Sequence, residues 1–213
     1  MNSACLTTAY LAPVSYYSIL YHYPDIEIEA NCNYIKQTYR NRCRIVGANG
    51  VLSLTVPIVK PDTLKCPTRD IRISEHGNWR HMHWNAIVSA YRSTPFFEYY
   101  QDDFQPFYRK SFPFLFDFNE QLRNLICECL GIRSHVRYTS RFRKELQPGQ
   151  TDFREPIHPK RNTGDTDGGF IAVPYHQVFH DKFGFIPDMS IIDLLFNLGP
   201  ESLYILRDSR RFS

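Results

Sequence analysis

Two runs of alternating residues flank Ala48-Asn49-Gly50, and no other stretch of the chain restricts its fold as tightly. Before the tripeptide, Arg42, Arg44 and Val46 alternate with Cys43 and Ile45; after it, Val51 to Pro57 alternates again. A strand turns successive side chains to opposite faces, so such runs around Asn-Gly specify an antiparallel hairpin. The spacing predicts a hairpin from about Tyr39 to Pro57, closed by a type I′ turn whose two central residues take positive φ. Pro57 and Pro61 end it, because proline cannot donate to a central ladder.

Around the hairpin the hydrophobic period switches repeatedly between two and 3.6. A short apolar strand opens the chain at Ala4 to Ala12, and Tyr16, Ile19, Leu20 and Tyr23 recur at helical spacing after Pro13. Ile26 and Ile28 alternate with acids over Asp25 to Ala30, the pattern of a half-buried strand. Arg69 to Ser74 reads as a return strand. Asn78 to Arg92 and Phe114 to Leu130 read as amphipathic helices, with Gly131 placed to end the second. An aromatic knot, Pro95 to Tyr100, lies between them, and Ile132 to Tyr138 has strand character. Ser190-Ile191-Ile192-Asp193 has the form of a capping box before a short apolar helix, and Glu201 to Leu206 forms a last element. The polar, Pro/Gly/Asp-rich segment 147–170 reads as a mobile loop. Together these predict an α/β fold in one domain over 1–206: a mixed sheet that includes the hairpin, helices packed on it, and a polar tail at 207–213.

Composition narrows the function. Hydrophobic residues make up 43% of the 213, enough for a core, and charged residues 22%, unlike a disordered chain. The formal net charge is only +3, which argues against a nucleic-acid binder. No window nears the ~20 apolar residues of a membrane span, and the first twenty residues lack the basic start of a signal peptide. The expected setting is the cytoplasm, with the six scattered cysteines as free thiols. No cofactor is implied. The 14 tyrosines suit pocket walls and interfaces as well as cores.

Several residues have a chemical reading beside an ordinary one. Arg40, Arg42 and Arg44 are spaced by two, so a strand reaching back that far puts them on one face, where guanidinium forks grip phosphate or carboxylate. A solvated basic face is the alternative. Tyr39 and Asn41 lie beside them. His83 lies on the apolar side of its helix: it is either a satisfied core histidine or a general base. His176 and His180 are spaced i, i+4, but a third metal ligand is not evident, so no metal site is predicted. Arg154 and Lys160 could reach a ligand from the 147–170 loop acting as a lid. There is no phosphate-binding glycine loop and no GxSxG elbow, and no cysteine has a visible partner, so a covalent nucleophile is not indicated.

Tyr10-Leu11-Ala12-Pro13, the run Tyr34 to Arg42, Leu54 to Pro57, His83, Tyr91, Pro95-Phe96-Phe97 and Leu130-Gly131 occur in the order found in one family. The chain resembles the WbqC-like proteins, and Gly184-Phe185 with Ser190 to Asn197 suggests the branch common in Bacteroidetes. Val14 stands where the family pattern has tryptophan. The resemblance implies a group transferase, of glycyl or acyl type, acting on an activated amino sugar in surface-polysaccharide or O-antigen synthesis. On that reading His83 is the base. Tyr10, Gln37, Arg40, Asn41 and Arg42, with Arg154 and Lys160, bind an anionic nucleotide-sugar or carboxylate. The alternative is a non-catalytic partner protein that binds protein or glycan through an arginine- and tyrosine-rich face.

Overall fold

The computed structural model describes residues 3–63, 65–160 and 169–211. Part of the expected 147–170 loop, and the last two residues of the expected tail, lie outside these.

The α/β reading holds. Four parallel strands form one sheet in the order β5-β2-β1-β6: β1 is Ser3–Thr7, β2 Asp25–Glu29, β5 His135–Tyr138 and β6 Gln150–Asp152. The hairpin, β3 (Arg42–Gly47) with β4 (Gly50–Thr55), is a separate two-stranded sheet and does not join the larger one. Parallel and antiparallel pairings therefore both occur, but in two sheets.

The hairpin's register is Cys43 with Leu54, Ile45 with Leu52 and Gly47 with Gly50. This makes Ala48 and Asn49 the central turn residues, and neither has positive φ. Gly50 alone does, at 104°. The turn is thus one residue earlier than a type I′ Asn-Gly turn, with glycine at the fourth position, where ordinary type I turns favour it. β3 begins at Arg42, so Arg40 is outside the ladder and does not share the strand face of Arg42 and Arg44.

Helix α1 (Val14–His22) connects β1 to β2. Its first turn is capped from far along the chain: the Asp188 carboxylate accepts from the Ser15 N–H at 2.8 Å and the Ser15 hydroxyl at 3.1 Å. Helix α2 (Trp79–Tyr91) buries Trp79, His83, Ile87, Ala90 and Tyr91, while Met82 is exposed. The aromatic knot is the start of an unexpected helix, α3 (Phe97–Arg109), which buries Phe97, Tyr100, Phe104 and Tyr108 despite Pro106. Arg69 to Ser74 is not a strand: a short 3₁₀ turn (Thr68–Asp70) is followed by isolated bridges from Arg72 and Ile73.

Helix α4 (Leu115–Leu130) ends as expected. Gly131 at φ 69° donates to Glu128 O at 3.1 Å, and Ile132 N to Cys127 O at 2.9 Å, which satisfies two terminal carbonyls. A Cβ at Gly131 would meet no atom within 4 Å. Gly131→Ala should therefore cost only the left-handed backbone penalty, about 1 kcal/mol, measurable by urea denaturation.

After the four-residue α5 (His180–Phe183) come α6 (Ile191–Leu198) and α7 (Ser202–Asp208). The capping box does not form. The Ser190 hydroxyl donates to Leu11 O at 2.7 Å, and Asp193 turns inward to accept from Tyr91, Tyr175 and Gln177. His176 precedes α5, so helical i, i+4 spacing does not relate it to His180. No metal-holding cluster occurs among the described residues. Of the expected tail, Arg207 and Asp208 close α7, and Ser209 and Arg210 are buried.

β6 lies inside the segment expected to be loop and pairs with β1. The path from β5 to β6 must cross the whole sheet, since those strands are its two edges. It crosses the face that carries Cys5, Glu27 and Asp152, which the pairing register sets side by side. The opposite face carries Ala4, Leu6, Ile26 and Ile28 and joins the core with Tyr17, Ile19 and Leu20. The alternation of Ile26 and Ile28 with acids suits a strand buried on one face only. Instead Glu27 is 8% and Glu29 0% exposed, because the crossover covers them.

Candidate functional site

In a parallel sheet, ligands bind outside the carboxyl ends of the strands, near the point where strand order reverses. Here the chain leaves β1 for β2 on one side, and β6 returns on the other. The residues just past the strand ends are the place to look: Thr8 and Tyr10 after β1, Asn31 and Cys32 after β2, Thr139 after β5, Arg154 after β6.

Past β1, the Thr8 hydroxyl donates to Glu120 at 2.8 Å, and Glu120 pairs with Arg123 at 2.8 Å, all of them buried. Past β2, the Glu29 carboxylate accepts from Asn31 N and the Thr139 hydroxyl, both at 2.7 Å. Arg143 from the crossover donates to Glu27 at 2.6 Å. A cavity of about 380 Å³ opens beside these residues, walled in part by Ala30, Arg69, Asp70, Phe116, Tyr138 and Thr139.

Arg40 lies next to this edge and is 4% exposed. Among the described residues its guanidinium has only long contacts, Nη1 to the Thr38 hydroxyl at 3.4 Å and Nη2 to Cys32 Sγ at 3.6 Å, and Nε has no acceptor. Three arginines near this edge hold an acid, Arg123 with Glu120, Arg143 with Glu27 and Arg154 with Asp152, whereas Arg40 pairs with none among the described residues. An enclosed cation without a counter-charge is costly unless an anion completes it. Burial pushes the nearby Tyr34 phenol up to about 12, with Arg40 and Arg42 acting against the rise.

The other residues singled out in the sequence are distributed as follows. Tyr10 and His83 meet, with Tyr10 Oη 3.0 Å from His83 Nδ1 and 2.9 Å from the Tyr108 hydroxyl. Both are core residues, 0% and 5% exposed, and the imidazole stacks on Tyr10 and edges onto Trp79. Burial lowers the His83 pKa to about 4, against the opposing pull of the Thr55 carbonyl. Asn41 closes the hairpin, its Nδ2 donating to Val56 O at 2.9 Å. Arg42 Nε donates to the Thr55 hydroxyl at 3.2 Å, so Thr55 links it to His83. Gln37 is exposed, at φ 61°. Arg154 is held by Asp152 and by the carbonyls of Arg143 and Lys144 on the covered sheet face. Lys160 is exposed. Neither Arg154 nor Lys160 bonds to residues 37–42 among the described residues.

Cys32, Thr68, Glu27 and Glu29 were not singled out in the sequence. The two acids looked solvated because they alternate with isoleucine. Cys32 and Thr68 are 36 residues apart and carry no local signal that they touch.

The sequence profile of the WbqC-like protein family matches residues 9–154, which contain the carboxyl-edge residues from Tyr10 to Arg154. An uncharacterised protein of Mycobacterium tuberculosis (strain ATCC 25618 / H37Rv), Rv1507c, is 26% identical over 230 aligned positions, covering 98% of this chain and 98% of its own. No solved structure is significantly similar. With the match spanning more than half its length, the chain belongs to the WbqC-like protein family.

Proposed function

We propose that the protein is a cytoplasmic group transferase that moves a glycyl- or acyl-type group onto an activated amino sugar in surface-polysaccharide synthesis. The observation that carries the ligand site is the Arg40 guanidinium, enclosed and without a carboxylate partner among the described residues. A bound phosphate or carboxylate supplies the missing counter-charge, through the paired N–H bonds that arginine makes best. Arg42 and Gln37 lie within three residues of Arg40 in the chain, and the cavity between Ala30 and Thr139 has room for the body of a small ligand. The transferase class is what the resemblance to the WbqC-like proteins implies; the family match itself names no activity. No helix among the described residues is long and apolar enough to cross a membrane.

A thermal-shift titration tests this. A nucleotide-sugar such as UDP-N-acetylglucosamine at a hundred times its Kd adds about 2.7 kcal/mol to the native state. For a domain of this size that raises the midpoint by roughly 5–10 °C. Arg40→Gln should abolish the shift. The absence of a shift from every nucleotide-sugar and small carboxylate tried, or a shift unchanged in Arg40→Gln, overturns the proposal.

A further inference from the structure

Cys32 lies three residues beyond the end of β2, on the carboxyl edge, and is 9% exposed. Its sulfur is 3.6 Å from Arg40 Nη2 and 3.4 Å from the Thr68 hydroxyl, which itself donates to Cys32 O at 2.9 Å. Thr68 immediately precedes Arg69 in the wall of the 380 Å³ cavity.

Burial pushes Cys5 up to about 12 and Cys127 and Cys129 up to about 11, and it raises Cys43 and Cys66 too. Arginines do stand near two of them, but Arg154 beside Cys5 is taken by Asp152, and Arg123 beside Cys127 by Glu120. At Cys32, the cation touching the sulfur is Arg40, which has no acid of its own among the described residues and whose Nε is unpartnered there. A guanidinium so placed stabilises negative charge on sulfur, the reactive form of a cysteine nucleophile.

We infer that Cys32 is the nucleophile that carries the transferred group as a thioester, with Arg40 as the cation that stabilises its thiolate. This rests on reading the Arg40 edge as the ligand site. The thiol gives its proton to solvent. The thiolate attacks the carbonyl carbon of an activated acyl donor, an acyl thioester or acyl phosphate. The new S–C bond forms, and the bond from that carbon to the donor's sulfur or oxygen breaks, with the electron pair leaving on the donor. In the second half the free amine of the acceptor attacks the thioester carbon. C–N forms, C–S breaks, the thiolate is restored and the amine proton passes to water.

The test uses the full chain with p-nitrophenyl acetate as the acyl donor, near neutral pH, followed by digestion in acid and mass spectrometry of all six cysteines. Acetylation should fall first on Cys32 and be removed by neutral hydroxylamine, as a thioester is. In Arg40→Gln, checked for folding by circular dichroism, the Cys32 rate should drop by about tenfold or more. If Arg40→Gln does not fold, the wild-type distribution among the six thiols decides alone. Acetylation of the more exposed Cys66 or Cys129 with Cys32 unmodified overturns the inference, and so does an unchanged Cys32 rate in folded Arg40→Gln. If Cys32 stays unmodified while nucleotide-sugar still stabilises the protein through Arg40, only the covalent step falls and the anion site stands.

Discussion

Glu29→Ala should cost about 3–5 kcal/mol, the range for removing one partner from a buried charged network. The carboxylate is wholly enclosed and accepts from Asn31 N and the Thr139 hydroxyl, with Arg143 N at 3.4 Å and Arg154 Nη1 at 3.9 Å. Alanine strands all of these donors where the crossover excludes water. It also loosens the segment between β5 and β6, because Asn31 Nδ2 in turn holds Thr139 O at 2.7 Å. Glu29→Gln keeps the volume and one acceptor oxygen but turns an NH2 group toward other donors, so it should lie between alanine and wild type. Urea denaturation followed by circular dichroism reads both. A Glu29→Ala loss under about 1 kcal/mol would mean that these donors find water, and that the polar sheet face is not sealed.

Acid should weaken the fold through His83. Its folded-state pKa is lowered to about 4 from an ordinary 6.5, chiefly by burial. Between those values the unfolded chain binds a proton that the folded chain refuses, so stability rises with pH across the window. The contribution is complete above about pH 6.5 and is lost as pH falls to about 4. Below that both states are protonated and nothing further is lost. At 1.36 kcal/mol per unit the loss is about 3 kcal/mol. Carboxylates titrate in the same range. Asp193, raised by burial, acts in the opposite sense, since its proton favours the folded state. The decisive quantity is therefore the difference between wild type and His83→Gln, which can still bond to Tyr10 and Thr55 but does not titrate. Parallel stability-versus-pH curves for the two proteins would show that His83 is accessible to protons in the folded state, and would favour the general-base role that its burial in this structure opposes.

Much of what is local in origin is legible in the residues. The β3–β4 hairpin, α2, α4 with its Gly131 end, and the α1 segment each rest on a period or a terminator within a few residues. α3 was missed because Pro106 and the dense run Phe96 to Tyr100 hide its i, i+3, i+4 stripe. β6 was missed because three residues, Gln150-Thr151-Asp152, carry no apolar alternation and become a strand only by pairing with β1. Ser190 and Asp193 have capping-box spacing, but each found a stronger partner in tertiary contact, Leu11 O for one and two tyrosines for the other.

The amino-acid sequence by itself determined the α/β class, the hairpin, the helix that carries His83, and the arginine-rich run Arg40 to Arg44. These follow from side-chain period and backbone sterics, which act between near neighbours. Only the tertiary structure decided what those residues face. It put Arg40 in a turn instead of on the strand, against Cys32 and without an acid among the described residues. It enclosed His83 with Tyr10, and it covered Glu27 and Glu29 with a crossover that begins more than a hundred residues later in the chain. Burial and counter-charge are set by contacts between distant segments, and in this chain they separate a candidate ligand site from the core.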